Sequence, residues 1–152
     1  MKTYTLKREQ LIRKPLEEVF SFFENTENLA RITPSNLGFK ILTPLPIHMK
    51  TGTLIDYTIN IFGIGVHWRT LISDYNPPHN FTDEQLKGPY TFWHHRHEFI
   101  SSSDGTLIRD TVAYALPFGM LGRLVHALLV KRQLRQIFDF RTSAIKNIFG
   151  EK

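Results

Sequence analysis

Trp93-His94-His95-Arg96-His97-Glu98-Phe99 is the run on which the reading of this chain turns. As a β-strand, whose alternate side chains face opposite sides, it puts Trp93, His95, His97 and Phe99 on one face. His94, Arg96 and Glu98 take the other. Half-buried strands ordinarily alternate apolar with polar residues, but here one face alternates large aromatics with imidazoles. Such a face suits the wall of a mostly apolar cavity that carries a few polar groups, the usual make-up of a small-molecule site.

The next segment supports the strand. Ser103-Asp104-Gly105-Thr106 contains the Asp-Gly pair favoured in tight two-residue hairpin turns, where both central residues need positive φ. With Ser103 opposite Thr106, Phe99 faces Asp110, His97 faces Val112, His95 faces Tyr114 and Trp93 faces Leu116. Read independently, the second strand from Leu107 to Leu116 has its more apolar face at Ile108, Val112, Tyr114 and Leu116, with Asp110 among them. A one-residue slip would reverse the two faces. Trp93, His95, His97, Phe99, Asp110, Val112 and Tyr114 are therefore expected to share an inner surface.

Further from this hairpin, residues 3–12 alternate as a first strand. Pro15 opens a helix in which Leu16, Val19, Phe20 and Phe23 form an apolar stripe, with Glu17 and Glu18 at its positive end. A second short helix is expected from Thr26 to Arg31, broken at Thr33-Pro34. Strands are predicted at Phe39–Thr43, Thr53–Phe62, Val66–Tyr75 and Phe81–Leu86, joined by glycine- and proline-rich turns in the manner of an antiparallel meander. The sequence leaves open which face of Val66–Tyr75 points inward.

From about Leu121 to Phe149 the pattern is helical. Leu134, Ile137, Phe138, Arg141, Ile145 and Ile148 form one stripe. Leu121, Leu124, Val125 and Leu128 form another, about half a turn away, so the helix is either buried all round near its middle or bends around Val130–Gln133. Most of these apolar positions are expected in the core. The predicted class is α+β, a helix-grip fold. A curved antiparallel sheet of about seven strands wraps the long C-terminal helix, with two short helices after the first strand and an internal hydrophobic cavity.

The chain has 152 residues and no cysteine, which suits a single domain spanning 1–152 and excludes disulfides and thiolate metal sites. No apolar run reaches the ~18 residues of a membrane span, and the charged N-terminus is unlike a signal peptide. A cytoplasmic location is expected. The net charge of +5 includes Lys131, Arg132, Arg135, Arg141 and Lys146, without a dense run or a nucleic-acid-binding signature. A solvated helix face accounts for it, and no nucleic-acid partner is expected. Gly-rich phosphate loops, the Gly-x-Ser-x-Gly elbow and His-Glu-x-x-His are all missing.

The order of elements, the segment Phe81-Thr82-Asp83-Glu84-Gln85-Leu86-Lys87-Gly88-Pro89-Tyr90, the histidine-rich strand, and Arg109-Asp110-Thr111-Val112-Ala113-Tyr114-Ala115-Leu116-Pro117 resemble the ligand-binding SRPBCC proteins. This is the START/pollen-allergen-like helix-grip superfamily, near its polyketide cyclase/dehydrase-like branch. The resemblance covers nearly the whole chain and implies the fold. The superfamily includes carriers, cyclases, dehydratases and co-chaperone-like activators, so the resemblance alone does not assign the job.

The expected function is binding of a hydrophobic or amphipathic small molecule, such as a lipid, an isoprenoid or a polycyclic aromatic. The candidate ligand-binding residues are Tyr57, Trp68, Phe81, Gln85, Trp93, His95, His97, Phe99, Asp110, Val112 and Tyr114. A second reading is a cyclase, dehydratase or isomerase using His95 or His97 as acid/base with Asp110 to orient it. A third is a ligand-sensing interaction module presenting the basic helix face to a partner enzyme. His95 and His97 with Asp110 or Glu84 would make a two-histidine, one-carboxylate metal set, but the spacing fixes no third ligand. Neither a metal nor a cofactor is expected. Buried Asp110 needs a partner, with Arg69, His97 and Gln85 as candidates. The Tyr57, Tyr75, Tyr90 and Tyr114 hydroxyls could donate to a ligand or to ordinary core partners.

Overall fold

The computed structural model describes residues 2–150. Strand β1 (Tyr4–Ile12) leads into helix α1 (Leu16–Glu24), followed by 3-10 turns at Thr26–Ile32 and Ser35–Leu37. Then come β2 (Lys40–Ile41), β3 (Leu54–Ile61), β4 (Ile64–Asn76), β5 (Asn80–Lys87), β6 (Phe92–Ser102) and β7 (Gly105–Ala115). The sheet order is β1-β7-β6-β5-β4-β3-β2, antiparallel throughout. Register shifts in β4 between Arg69 and Thr70, and between Ile72 and Asp74, help to curve it.

The C-terminal helix runs through α2 (Gly119–Val125), one π turn (His126–Val130) and α3 (Lys131–Phe149). Leu134 and Phe138 pack with Trp68, Trp93, Val112 and Tyr114, so α3 lies on the inner face of the sheet. Ile145 joins Ile12, Phe20, Phe81 and Phe99 in a second cluster, which α1 covers. Arg8 pairs with Asp139 at 2.6 Å, and Gln10 Nε2 donates to the Thr142 carbonyl at 3.1 Å, tying α3 to β1. This is the expected α+β helix-grip architecture.

Several local expectations change. Ser102 pairs with Gly105, so the hairpin turn is Ser103-Asp104 and not Asp104-Gly105. Gly105 begins β7 at φ +139°, where a Cβ would lie 2.2 Å from the Ile12 carbonyl oxygen. The glycine is needed because β1 passes so close. The pairing accordingly moves by two: His97 faces Asp110, His95 faces Val112, Trp93 faces Tyr114 and Phe99 faces Ile108. A shift of two preserves the faces. The strand expected at Phe39–Thr43 shrinks to Lys40–Ile41, because Pro44 and Pro46 follow and cannot donate to a ladder. On β4, Trp68, Thr70 and Ile72 point inward and are buried.

The C-terminal helix carries the largest departure. Gly122, His126, Val130, Leu134 and Phe138 are buried at a spacing of four. On an ideal helix each such step oversteps the turn by about 40°. The wider π turn absorbs part of that drift and keeps the row facing the sheet. It sits just before the position where a bend is expected. Leu121, Leu124 and Leu128 fall outside this row and are 60%, 56% and 64% exposed, so they are surface and not core.

Gly122, in the first turn of α2, packs against the preceding loop, and a Cβ there would sit 2.1 Å from the Pro117 carbonyl oxygen. Backbone cannot give way as a flexible side chain does, so Gly122→Ala should cost about 1–3 kcal/mol, the usual range for overpacking. Urea unfolding measures it. A wild-type midpoint would show that the loop retreats freely.

Candidate functional site

Between the inner face of the sheet and α3 lies a cavity of about 190 Å³. That is more than ten times the ~10–15 Å³ that one water needs. Its wall is largely apolar, with Phe22 and Phe23 from α1, Ile55, Tyr57 and Ile59 from β3, Trp68 and Ile72 from β4, and Leu134, Ile137 and Phe138 from α3. Asp83, His95, His97 and Arg141 supply the charged and imidazole groups.

Four polar groups, the buried His95, His97 and Asp110 and the half-buried Asp83, form a closed set across β5, β6 and β7. His95 Nε2 lies 2.8 Å from Asp110 Oδ1, and His97 Nε2 lies 2.5 Å from Asp83 Oδ2. The remaining nitrogens take the opposite acids: His97 Nδ1 is 3.4 Å from Asp110 Oδ1, and His95 Nδ1 is 3.8 Å from Asp83 Oδ2. The rings stack at 3.6 Å, and Phe81 stacks on His97 at 4.2 Å. Asp110 stands behind both imidazoles, while Asp83 stands on the cavity side.

The charges follow from this geometry. Burial, the largest influence on each group, pushes Asp83 and Asp110 up. For Asp83 the nearby His95 and the His97 hydrogen bond outweigh it, and for Asp110 the Arg141 charge and both imidazoles do, so both carboxyls sit below their usual range. Burial also disfavours the histidine cations. Hydrogen bonds to Asp110 and Asp83 nevertheless raise His97, whereas burial together with neighbouring His97 lowers His95. The consistent state has two carboxylates, a protonated His97 hydrogen-bonded to Asp83 and ion-paired with Asp110, a neutral His95, and Arg141 completing the balance.

Of the expected ligand-binding residues, Tyr57, Trp68, Phe81, Trp93, His95 and His97 line the cavity. Five do not, each because its side chain is committed elsewhere. Gln85 is locked to the backbone of Tyr90, donating to its carbonyl at 2.7 Å and accepting from its N–H at 3.0 Å. Phe99 packs on Phe20 and Phe23. Val112 is fully buried in the core. The Tyr114 hydroxyl is hydrogen-bonded to His126 Nε2 at 2.7 Å. Asp110 lies behind the histidines. Of its expected partners only His97 reaches it, since Arg69 pairs with Asp56 on the outer face at 2.9 Å.

Arg141 is not among the site residues expected from the sequence, whereas Asp83 shares the Phe81 face of its strand and is readable there as a second polar spot on the same wall. The signal for Arg141 is a guanidinium on an otherwise apolar helical stripe. Its Nε and the Trp68 indole Nε1 are two of three buried side-chain polar atoms without a hydrogen-bond partner among the described residues. The Arg141 guanidinium lies over Phe138 at 5.6 Å and Phe23 at 5.8 Å.

Asp83, His95 and His97 each offer one ligand atom within 4.8 Å of the others. Asp83, rather than the expected Asp110 or Glu84, is therefore the carboxylate that completes this set from the cavity side, while Asp110 holds both imidazoles from behind. The ring planes are only 25° apart at 3.6 Å, however, so their in-plane lone pairs run side by side. One ring would have to turn before both could meet a single ion in-plane.

The sequence matches the family described as polyketide cyclase / dehydrase and lipid transport over residues 12–139. No curated protein matches it. The fold is similar to TTHA0849 from Thermus thermophilus, at a TM-score of 0.76 and 15% identity over 96% of this chain and 97% of that one. It is also similar to the Zhui aromatase/cyclase from Streptomyces sp. R1128, at 0.68 and 12% over 97% and 96%. A norcoclaurine synthase point mutant from Thalictrum flavum, in complex with a transition-state analogue, matches at 0.66 and 11% over 96% of each chain. At these identities the likeness speaks for the fold.

His97→Ala leaves two carboxylates facing each other without their shared cation, so it should cost about 3–5 kcal/mol, as breaking a buried ion pair does. Trp93→Ala should cost about as much through lost burial and a residual cavity. Chemical denaturation compares them, and a His97→Ala loss near ~1 kcal/mol, the worth of one modest hydrogen bond, would mean the carboxylates relax into water.

Because His97 holds its proton more tightly when folded, its contribution is complete below about pH 6.5 and fades as pH rises through its raised folded value. Asp83 and Asp110 contribute fully above about pH 4 and lose it as pH falls through their depressed folded values. Neutral His95 adds a loss as pH falls below about 6.5. Unfolding free energy measured against pH should therefore decline on both sides, and His97→Gln should abolish the alkaline decline. An unchanged alkaline limb in that variant would assign it to another group.

Proposed function

The chain belongs to the polyketide cyclase / dehydrase and lipid transport family, and from that premise we propose that it binds a hydrophobic or amphipathic small molecule between sheet and C-terminal helix. The ligand would be a lipid, an isoprenoid or a polycyclic aromatic carrying at least one acceptor oxygen. The observation behind this reading is the pairing of an apolar cavity with unpartnered donors on two of its lining residues, Trp68 and Arg141. A buried donor without a partner costs about 1–3 kcal/mol. A ligand carbonyl, carboxylate or phenolate would relieve that cost, while hydrocarbon or ring would fill the space between Tyr57, Ile72, Leu134 and Ile137.

One observation favours a second reading, that of a cyclase, dehydratase or isomerase. His95 Nδ1 makes no hydrogen bond among the described residues, at 3.8 Å from Asp83, while Asp110 holds its Nε2 from behind at 2.8 Å. An imidazole kept neutral, backed by a carboxylate and lining a cavity, has the parts of a general base. His97 has acids on both nitrogens and is unsuited to the role.

Native mass spectrometry of protein from its own host, with thermal shifts against paired fatty or polycyclic acids and alcohols, tests the binding reading. A bound mass or a stabilising shift is expected. A clean apo mass with no shift across the panel would end it. Arg141→Lys keeps the charge but removes the Nε–H, and should weaken the acid about tenfold or more, the worth of a hydrogen bond to a charged group. His95→Gln should leave affinity within a few-fold, and loss of any mass change in the bound compound would favour the enzyme.

A further inference from the structure

The sheet register sets one end of the molecule apart. The start of β1, the β3–β4 tip, the β5–β6 connection and the passage from β7 into α2 all lie there, because Tyr4 pairs with Tyr114, Ile61 with Ile64, and Phe92 with Ala115. This end exposes large apolar side chains. Phe62 and Phe118 are 57% and 79% exposed, Ile64 67% and Met120 83%. Among the described residues, Phe62 and Phe118 are also the non-glycine residues held at positive φ, 50° and 71°, a conformation that bulky residues seldom adopt. Structures keep such outliers mainly where function uses them.

The helix continues the pattern. With Gly122, His126 and Val130 buried, the outward row is Met120, Leu124 and Leu128. One flank is Leu121, Val125 and Leu129; the other is Arg123, Ala127, Lys131 and Arg135. Arg132 ends the apolar row. Residues 2–8, 61–68, 86–97 and 111–138, which build this end, contain no aspartate or glutamate. They supply Lys2, Lys7, Arg8, Lys87, Arg96, Arg123, Lys131, Arg132 and Arg135, of which Arg8 pairs with Asp139 and Arg96 lies beside Asp74 and Glu98. The opposite end also exposes Leu42, Leu45 and Leu54, but Glu17, Glu18 and Asp104 lie in its connections.

We propose that the acid-free end docks on an anionic lipid bilayer. The outward leucines, Met120 and the two strained phenylalanines enter the headgroup and acyl boundary, and the basic flank meets lipid phosphates. An apolar row beside Lys and Arg is the layout of a helix lying in a membrane interface. A second copy of the chain is a poorer occupant, because a two-fold interface would oppose each basic flank with its own like charges. Nucleic acid would use the basic residues and leave the apolar row in water. Ile61 and Gln133 line the cavity, so it reaches toward the same end. The docking surface does not depend on the cavity's ligand.

The test is co-sedimentation with phosphatidylcholine vesicles, with and without phosphatidylglycerol, at low and physiological salt. Binding to the anionic vesicles is expected, several-fold weaker at higher salt and weak on neutral vesicles. Leu124→Gln/Leu128→Gln should reduce it tenfold or more. Arg132→Gln/Arg135→Gln should reduce it about fivefold per charge on anionic vesicles. All four residues are exposed, so unchanged thermal melting serves as the folding check. Three results would overturn the proposal: no sedimentation at low salt; loss in the arginine variant but none in the leucine variant, which marks a polyanion site; or a dimer by light scattering that the leucine variant dissolves.

Discussion

The two carboxylates on the inner face of the sheet, Asp83 and Asp110, govern the arrangement around them. Neither could stay ionised in that position without a positive neighbour. His97 supplies it by standing between them, and Arg141 supplies the rest from α3. The requirement therefore spans β5, β6, β7 and the helix, and it fixes their relative placement at the bottom of the cavity. Around this charged centre the packing is aromatic: Phe81 stacks on His97, Phe138 lies near His95, and Trp93 meets His95 edge-on.

The histidine-rich strand shows this centre in outline. Alternation alone puts Trp93, His95, His97 and Phe99 on one face, and the independent pattern of β7 puts Asp110 there too. What alternation cannot supply is register. Asp-Gly is the stronger turn signal taken alone, but the chain makes its turn one residue earlier, and Gly105 instead opens β7 where β1 passes too close for a Cβ. That two-residue change brings Asp110 opposite His97, and the partnership that organises the site depends on it.

Arg141 and the leucines of α2 show the limit of periodicity in a different way. A helical stripe does not say whether a charge on it is an intruder or a partner. Arg141 becomes intelligible only when Asp83 and Asp110, distant in sequence, arrive beneath it. The Leu121, Leu124 and Leu128 stripe has core-like spacing, yet among the described residues no element covers it, because the π turn commits Gly122, His126 and Val130 to the sheet instead. A hydrophobic pattern records that water is to be avoided; it does not record what replaces the water.

The two histidines differ in how many of their nitrogens the acids hold. His97, gripped on both nitrogens, cannot exchange a proton with a ligand without leaving two carboxylates uncompensated. His95 is gripped on one nitrogen only, and its other nitrogen faces Asp83 at a distance too long for a hydrogen bond. A ligand acceptor arriving at Trp68 and Arg141 would draw some of the Arg141 charge away from Asp110, and the acids would then lean harder on His97. On the binding reading, occupancy of the cavity would be linked to protonation of the buried centre through Arg141, whether the bound molecule is only carried or also transformed.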